Sequence, residues 1–411
     1  MTLSPEVLLW IIVSIVSLSF VVGQVLEYLN LKAMRTDMPE EIASFYDREK
    51  YRKSQEYHRE VTRFSFLTST VGFIGSILLL VLGGFGWVDG LLRSLTENPI
   101  VLALLFFGVL GIASDLLTLP FQWYSTFVIE EKYGFNKTTM KTFITDKLKG
   151  YVLGALIGGG LLAALIYLVE TIGPDFWIWF AAIACALMLF MNMFYTSLIL
   201  PLFNKLTPLP DGELKTAIEE FSQKINFPIT NIFVIDGSKR SSKANAFFSG
   251  IGKKKKIVLY DTLIRNHTTA ELVAVLAHEV GHYKKRHIIW SYVLSVVQIV
   301  FMLFVLAQMV FNVELSLALG GAQHAIHLNL LAFTILFSPI SAITGLFMNI
   351  YSRKNEFEAD AYARETYNGK ALAEALKKLS VDNLSNLYPH PAYVFVHYSH
   401  PPLLQRLERI G

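Results

Sequence analysis

The residues best suited to chemistry in this chain lie in HEVGH, residues 278–282, where two histidines stand one helical turn apart with a glutamate beside the first. That spacing aims His278 and His282 from one face of a helix, where both imidazoles can hold a single zinc ion. Glu279 then sits next to the open position of such a metal, where a carboxylate can take a proton from water and return it to a leaving amine. A catalytic zinc with two histidines needs a third protein ligand. The segment SRKNEFEADAYARE, 74 residues after His282 at its first acid, offers Glu356, Glu358 and Asp360. Glu356 is the expected ligand. Asp360, one turn further on the same face, is placed to accept a hydrogen bond from a ligating histidine and set its tautomer. Glu358 points roughly the opposite way, as a salt-bridge partner or, in the alternative, as the ligand itself.

What must position these groups is a membrane. The chain has 411 residues, 53% of them hydrophobic, with a mean hydropathy of +0.45, which is too apolar for a soluble domain to hide in its core. The net charge of +3 is nearly balanced and gives no reason to expect nucleic acid. The lone Cys185 lies in an apolar run, so neither a disulfide framework nor a cysteine metal cluster is available. Apolar windows of about 20 residues mark seven spans, near 7–29, 65–88, 100–121, 151–171, 176–200, 288–311 and 328–350. The first has no basic leader and no small-residue cleavage site, so it is expected to be retained as a span. Lys and Arg crowd alternate connections, 30–64 and 122–150, and are nearly absent from those between. The positive-inside rule then puts the N-terminus outside and 30–64, 122–150, 201–287 and 351–411 in the cytoplasm.

This topology makes the choice of ligand physical. His282 stands six residues before the sixth span and Glu356 six residues after the seventh. Two antiparallel helices would bring both to one depth at the cytoplasmic edge, with the HExxH helix running on into the sixth span as its anchor. Polar groups placed there are costly, which favours function. The domains expected are 1–200 with spans one to five, 201–287 as a catalytic region, 288–352 with spans six and seven, and 353–411 as a catalytic segment. Only 201–287 has the texture of a soluble fold. It offers an amphipathic helix with Leu214, Ile218, Phe221 and Ile225 on one face, then three short strands in NIFVIDG, KANAFFSG and KKKIVLYD. The fold class is therefore mainly α, a seven-span membrane protein with a small α+β unit. Glycines in GGFG and GGG are expected to let helices approach closely.

The chain resembles the type I CAAX prenyl proteases, integral-membrane zinc metalloendopeptidases of the gluzincin kind. The resemblance is carried by LPFQWYSTFVIEEKYGFNKTT (119–139), PLFNKLTPLPDGELK, DGSKRSSKANAFFSG, HEVGHYKKRH, SRKNEFEADAYA and HYSHPPLLQRLERI, in that order. It implies one zinc ion on His278, His282 and Glu356, with Glu279 as base, and spans that enclose a water-filled chamber around the metal. It also implies cleavage of the C-terminal tripeptide from prenylated CAAX proteins, with other peptides accepted by some members. Val280 stands where the family commonly has Leu. The chain closes at Gly411 without the tail and retrieval signal common in endoplasmic-reticulum members, which argues for a bacterial cell membrane.

Further roles follow within that reading. His400 in HYSHPP is favoured as the donor to the developing oxyanion, with His397 its rival. Arg406 is placed to pair with Glu356 or Asp360, or to be an ordinary solvated arginine. If 244–248 is an edge strand, its backbone at Asn245, Ala246 and Phe247 can pair with an extended peptide, the Asn245 side chain adding a hydrogen bond. GKKKK at 252–256 reads as a hairpin turn able to touch anionic headgroups. Asp115 interrupts the third span and is expected in the chamber, Glu170 at the interface. His324 and His327 lie far from the zinc, where a second metal is the remote alternative. The competing functions are a membrane quality-control protease that needs no prenylation, and a seven-span transporter or receptor. The expected partners are peptide or protein C-terminal segments and the bilayer, and the chain is expected to be a monomer.

Overall fold

The structure is a computed structural model that describes residues 3–227, 231–249 and 256–411. Its first half is a set of long helices: α1 (Pro5–Ala33), α2 (Arg48–Val81), α3 (Gly84–Arg93), α4 (Pro99–Tyr124), α5 (Met140–Leu153), α6 (Gly160–Ile172) and α7 (Phe176–Leu198). Among the described residues six helical runs are long and apolar enough to cross a membrane. One of them, Met140–Phe203, has 64 residues, about three times what a ~30 Å hydrocarbon core needs. It breaks at Gly173, whose φ is +72°, and so contains both α6 and α7. The seven apolar stretches of sequence thus fall on helical runs, except that 65–88 overruns α2, which ends at Val81, and crosses the left-handed Gly83 (φ +66°) into α3. Large apolar side chains such as Leu18, Leu82, Leu117, Leu156 and Phe347 are exposed, as suits helices whose surroundings are apolar lipid.

Several local expectations change. The connection 30–64 is half helix, because α2 starts at Arg48 under a cap from Asp47, whose carboxylate accepts from the Lys50 amide at 2.8 Å. In GGFG the expected close approach is present: a Cβ on Gly86 would lie 1.8 Å from the Gly320 carbonyl oxygen. In GGG only Gly159 meets another helix, its Cβ position lying 3.5 Å from the Leu104 side chain of α4, while Gly158 and Gly160 have no neighbour within 4 Å. Those glycines adjoin a π-helical turn, Gly154–Gly159, that joins α5 to α6.

The short α8 (Leu200–Phe203) leads into the α+β unit, made of β1 (Leu206–Pro208), α9 (Glu213–Lys224), β2 (Ile232–Ile235), β3 (Ala246–Ser249), β4 (Lys256–Tyr260), α10 (Asp261–Asn266) and α11 (Thr269–Lys284). The sheet order is β1-β2-β4-β3, with β2 and β4 parallel and the outer pairs antiparallel. Four strands are present where three were expected. β1 escapes sequence reading because it is three residues long and ends in Pro208, a residue tolerated only where a strand has a free edge. Ile218 and Phe221 of α9, Ile257 and Leu259 of β4, and Leu272, Val273 and Leu276 of α11 form one buried core, each such side chain stabilising the unit by about 1.5–3 kcal/mol. Lys256 opens β4; the rest of the GKKKK turn, 252–255, lies outside the described residues.

The remaining elements are α12 (His287–Met309), α13 (Val313–Ala318), α14 (Ile326–Ala363), α15 (Gly369–Asp382), α16 (Pro391–His397) and α17 (Leu403–Ile410). α14 is one helix of 38 residues, so no border at 352 separates the seventh span from the acidic segment. The opposite correction holds for the HExxH helix. It does not run on into the sixth span. α11 ends at Lys284, Arg286 adopts the left-handed conformation with φ +60°, and α12 begins at His287.

Candidate metal centre

α11 starts with a capping box: the Thr268 hydroxyl accepts from the Glu271 amide at 3.3 Å, and the Glu271 carboxylate accepts from the Thr268 amide at 2.9 Å. Lys378 of α15 holds the same carboxylate at 2.8 Å. With two orphan donors satisfied and residues 271–278 all buried, the helix is held firmly against the sheet. It crosses α14 at Gly281, where a Cβ would stand 3.0 Å from the Ala359 Cα and 3.2 Å from the Ala359 carbonyl oxygen. The glycine of HEVGH thus lets the two helices approach closely enough for their polar faces to meet.

At that crossing His278, His282 and Glu356 offer three ligand atoms within 4.8 Å of one another. His278 Nε2 lies 3.1 Å from His282 Nε2 and 3.4 Å from Glu356 Oε2, and His282 Nε2 lies 3.2 Å from Glu356 Oε1. A tetrahedral zinc with arms of about 2.0–2.1 Å would set its ligand atoms roughly 3.3 Å apart. The residues therefore fit such an ion. Glu356 Oε2 is also buried without a hydrogen bond, an acceptor whose lone pairs are not taken up by a donor at hydrogen-bond geometry. Among the described residues no other trio of histidine, cysteine or acid comes together in this way.

Asp360 and Arg406 stand behind the trio. Asp360 Oδ1 is 2.8 Å from His278 Nδ1, and the carboxylate receives Arg406 Nε at 2.8 Å and Arg406 Nη2 at 2.6 Å. Arg406 Nη1 also reaches Glu356 Oε2 at 3.4 Å. Arg406 is buried, so the solvated alternative does not hold. Burial works against the Arg406 and His278 cations. The Asp360 carboxylate outweighs it in both cases, keeping the guanidinium above its ordinary range and, with Glu356, pushing the His278 imidazole up to about 9. Burial pushes the Glu279 carboxyl up, only partly offset by the two histidines. The site is an electrostatic nest for positive charge with a carboxyl suited to hold a proton.

A cavity of about 690 Å³ opens from the trio, and Glu279, Asn245, Ala246, Phe247, His400 and Arg406 line it. β3 forms the sheet edge beside this cavity. The Asn245 side-chain oxygen already accepts from the Ala246 amide at 2.8 Å, so only its amide nitrogen remains to reach outward. His400 Nε2 stands 3.3 Å from Glu356 Oε1 with the side chain 63% exposed. His397 packs instead against the Tyr393 ring at 4.6 Å between centroids. The geometry separates the two.

Other singled-out residues have plain partners. Glu358 faces His287 at 3.2 Å, away from the trio. His327 pairs with Asp89 at 2.8 Å and His324 with the Val310 carbonyl at 2.9 Å, which explains both without a second metal. Asp115 is held by Lys147 at 2.7 Å and Gln122 at 3.1 Å. Glu170 is exposed. Sequence reading assigned no role to His287, although it closes the quoted HEVGHYKKRH, and missed the pairing of Lys243 with Glu130 at 3.0 Å, which no spacing rule could link across 113 residues.

Comparison with known proteins extends these observations over the chain. Residues 27–205 match the family described as CAAX prenyl protease N-terminal, five membrane helices, and residues 208–411 match peptidase family M48. The chain is 37% identical to the CAAX prenyl protease 1 homolog of Arabidopsis thaliana, over 93% of each. It is 34% identical to CAAX prenyl protease 1 of Saccharomyces cerevisiae, over 92% of this chain and 89% of that one. The crystal structure of S. mikatae Ste24p superposes with a TM-score of 0.93 at 32% identity, covering all of both chains. These relatives are eukaryotic, so the expectation of a bacterial membrane finds no support. With a peptidase match over its second half and full-length relatives on both counts, this chain belongs to the M48 family of membrane metallopeptidases, in its CAAX prenyl protease group.

Proposed function

We propose that the chain binds one zinc ion through His278, His282 and Glu356 and hydrolyses peptide bonds near the C-terminus of prenylated CAAX substrates. The observation that carries this reading is the convergence of the three ligand atoms, at spacings suited to zinc, on a cavity bordered by a free strand edge. Bound zinc would supply Lewis acidity toward water and the scissile carbonyl. Glu279 takes the proton of the attacking water and delivers it to the leaving amine, a role its raised affinity for protons suits. His400 donates to the oxyanion as it develops. Asp360 and Arg406 hold His278 and Glu356 in place. The edge of β3 at Ala246 and Phe247, with the Asn245 side chain just before the strand, meets the extended peptide. The alternation of Lys and Arg supports a cytoplasmic catalytic face with the N-terminus outside, and the protein acts as a monomer.

The test is purification in detergent of wild type and Glu279→Gln, with metal analysis and cleavage of a quenched peptide carrying or lacking a farnesylated CAAX tail. One zinc in each protein, cleavage only by wild type and preference for the lipidated peptide are expected. Absence of zinc from wild type, or equal cleavage by the variant, overturns the mechanism. Equal cleavage of both peptides overturns the lipid requirement alone.

A further inference from the structure

His278 and His282 are buttressed in different ways. His278 Nδ1 meets the Asp360 carboxylate directly at 2.8 Å. His282 Nδ1 meets another imidazole: His287 Nδ1 lies 3.0 Å away, and His287 Nε2 lies 3.2 Å from Glu358 Oε2. In an unbroken helix a residue five positions on would stand about 140° round the axis from His282. The break at Arg286 removes that separation, because a left-handed residue between α11 and α12 turns His287 back toward the metal face. A non-glycine residue held at φ +60° is strained by roughly 1–3 kcal/mol, and such strain survives where the surroundings require the conformation.

The tautomers follow from the geometry. His282 presents Nε2 to Glu356 and His278, so as a ligand through that atom its ring proton must sit on Nδ1. His287 Nδ1 must then accept it, which places the proton of His287 on Nε2, where Glu358 accepts in turn. Each donor meets one acceptor along the relay His282 → His287 → Glu358. His287 is buried and Glu358 is 39% exposed, so the relay ends on a carboxylate that water can stabilise.

We infer that His287 is a positioning residue for zinc, orienting His282 and fixing its tautomer, with Glu358 fixing the tautomer of His287. The inference rests on the zinc reading above. Its test is the zinc dissociation constant of full-length protein in detergent, measured by competition with a chromogenic chelator. The thermal midpoint of the metal-free protein monitors folding. Replacing an outer partner of a ligating histidine costs about 10–100-fold in affinity. His287→Leu is expected to weaken zinc by that factor. His287→Asn, whose side-chain oxygen can stand where Nδ1 stood, should restore affinity to within a few-fold of wild type. Glu358→Ala, at a partly exposed position, should lose about threefold or more with an unchanged midpoint. Wild-type affinity in Glu358→Ala overturns the inference, as does a His287→Asn no better than His287→Leu. If His287→Leu does not fold, the Glu358→Ala result decides. Failure of the zinc reading is distinct: wild type itself would then bind no zinc.

Discussion

At the scale of single residues, the roles divide by what each group touches. Glu279 lines the cavity beside the trio and is not one of its three members, so Glu279→Gln is expected to lower turnover by about 10²–10⁴-fold while leaving zinc content unchanged, read by peptide cleavage and metal analysis. Asp360 binds both His278 and Arg406. Asp360→Asn weakens the acceptor that holds the Nδ1 proton of His278 and leaves Arg406 without its counter-charge, and zinc affinity should fall about 10–100-fold, measured by chelator competition. For the oxyanion, His400→Phe is expected to cost about 10²-fold in turnover. His397→Phe, which loses only its packing on Tyr393, should stay within a few-fold of wild type.

At the scale of elements, the crossing of α11 and α14 sets the metal site. Gly281→Ala would place a methyl group 3.0 Å from the Ala359 backbone, and backbone cannot move aside as a side chain can. Overpacking of this kind costs about 1–3 kcal/mol. Because the ligands sit on either side of the contact, zinc affinity should fall together with the thermal midpoint. The start of α11 supports the same geometry. Thr268→Ala removes the cap and should cost about 1 kcal/mol, read from thermal unfolding in detergent. Burial raises the Glu271 carboxyl, but Lys378 and the Thr268 amide outweigh it, leaving the group below the ordinary carboxylate range. A carboxyl depressed by folding stabilises above its unfolded pKa and loses that contribution as pH falls through its folded pKa. The loss expected in Glu271→Gln is therefore present at neutral pH and vanishes in acid.

At the scale of the whole molecule, the β3 edge is tied to the membrane half. Arg240 binds Asp146 at 2.7 and 2.9 Å. Lys243, two residues before Asn245, binds Glu130 at 3.0 Å and the Tyr57 hydroxyl at 3.0 Å, and lies 4.3 Å above the Phe135 ring. These contacts join 27–205 to 208–411, the two regions matched separately by family, and fix where β3 meets the cavity. Lys243→Met is expected to raise KM about three- to ten-fold with kcat nearly unchanged, the signature of lost binding without lost chemistry.

His278, Glu279, His282, Glu356 and Asp360 were legible from sequence because helical periodicity maps spacing onto a face, and the apolar spans gave those faces a common depth. The seven spans were legible because length and hydropathy alone decide whether a helix can cross a bilayer. Tertiary structure decided the rest. Only folding shows that α11 stops at Lys284 and that Arg286 is left-handed, since a left-handed arginine has no signature in composition, and that break is what turns His287 toward His282. That His400 stands beside Glu356 while His397 packs on Tyr393 depends on the path of the chain after α16, where three positions in sequence become different surroundings. Lys243 and Glu130 meet across more than a hundred residues. Local propensity carries no information about such pairs; packing does.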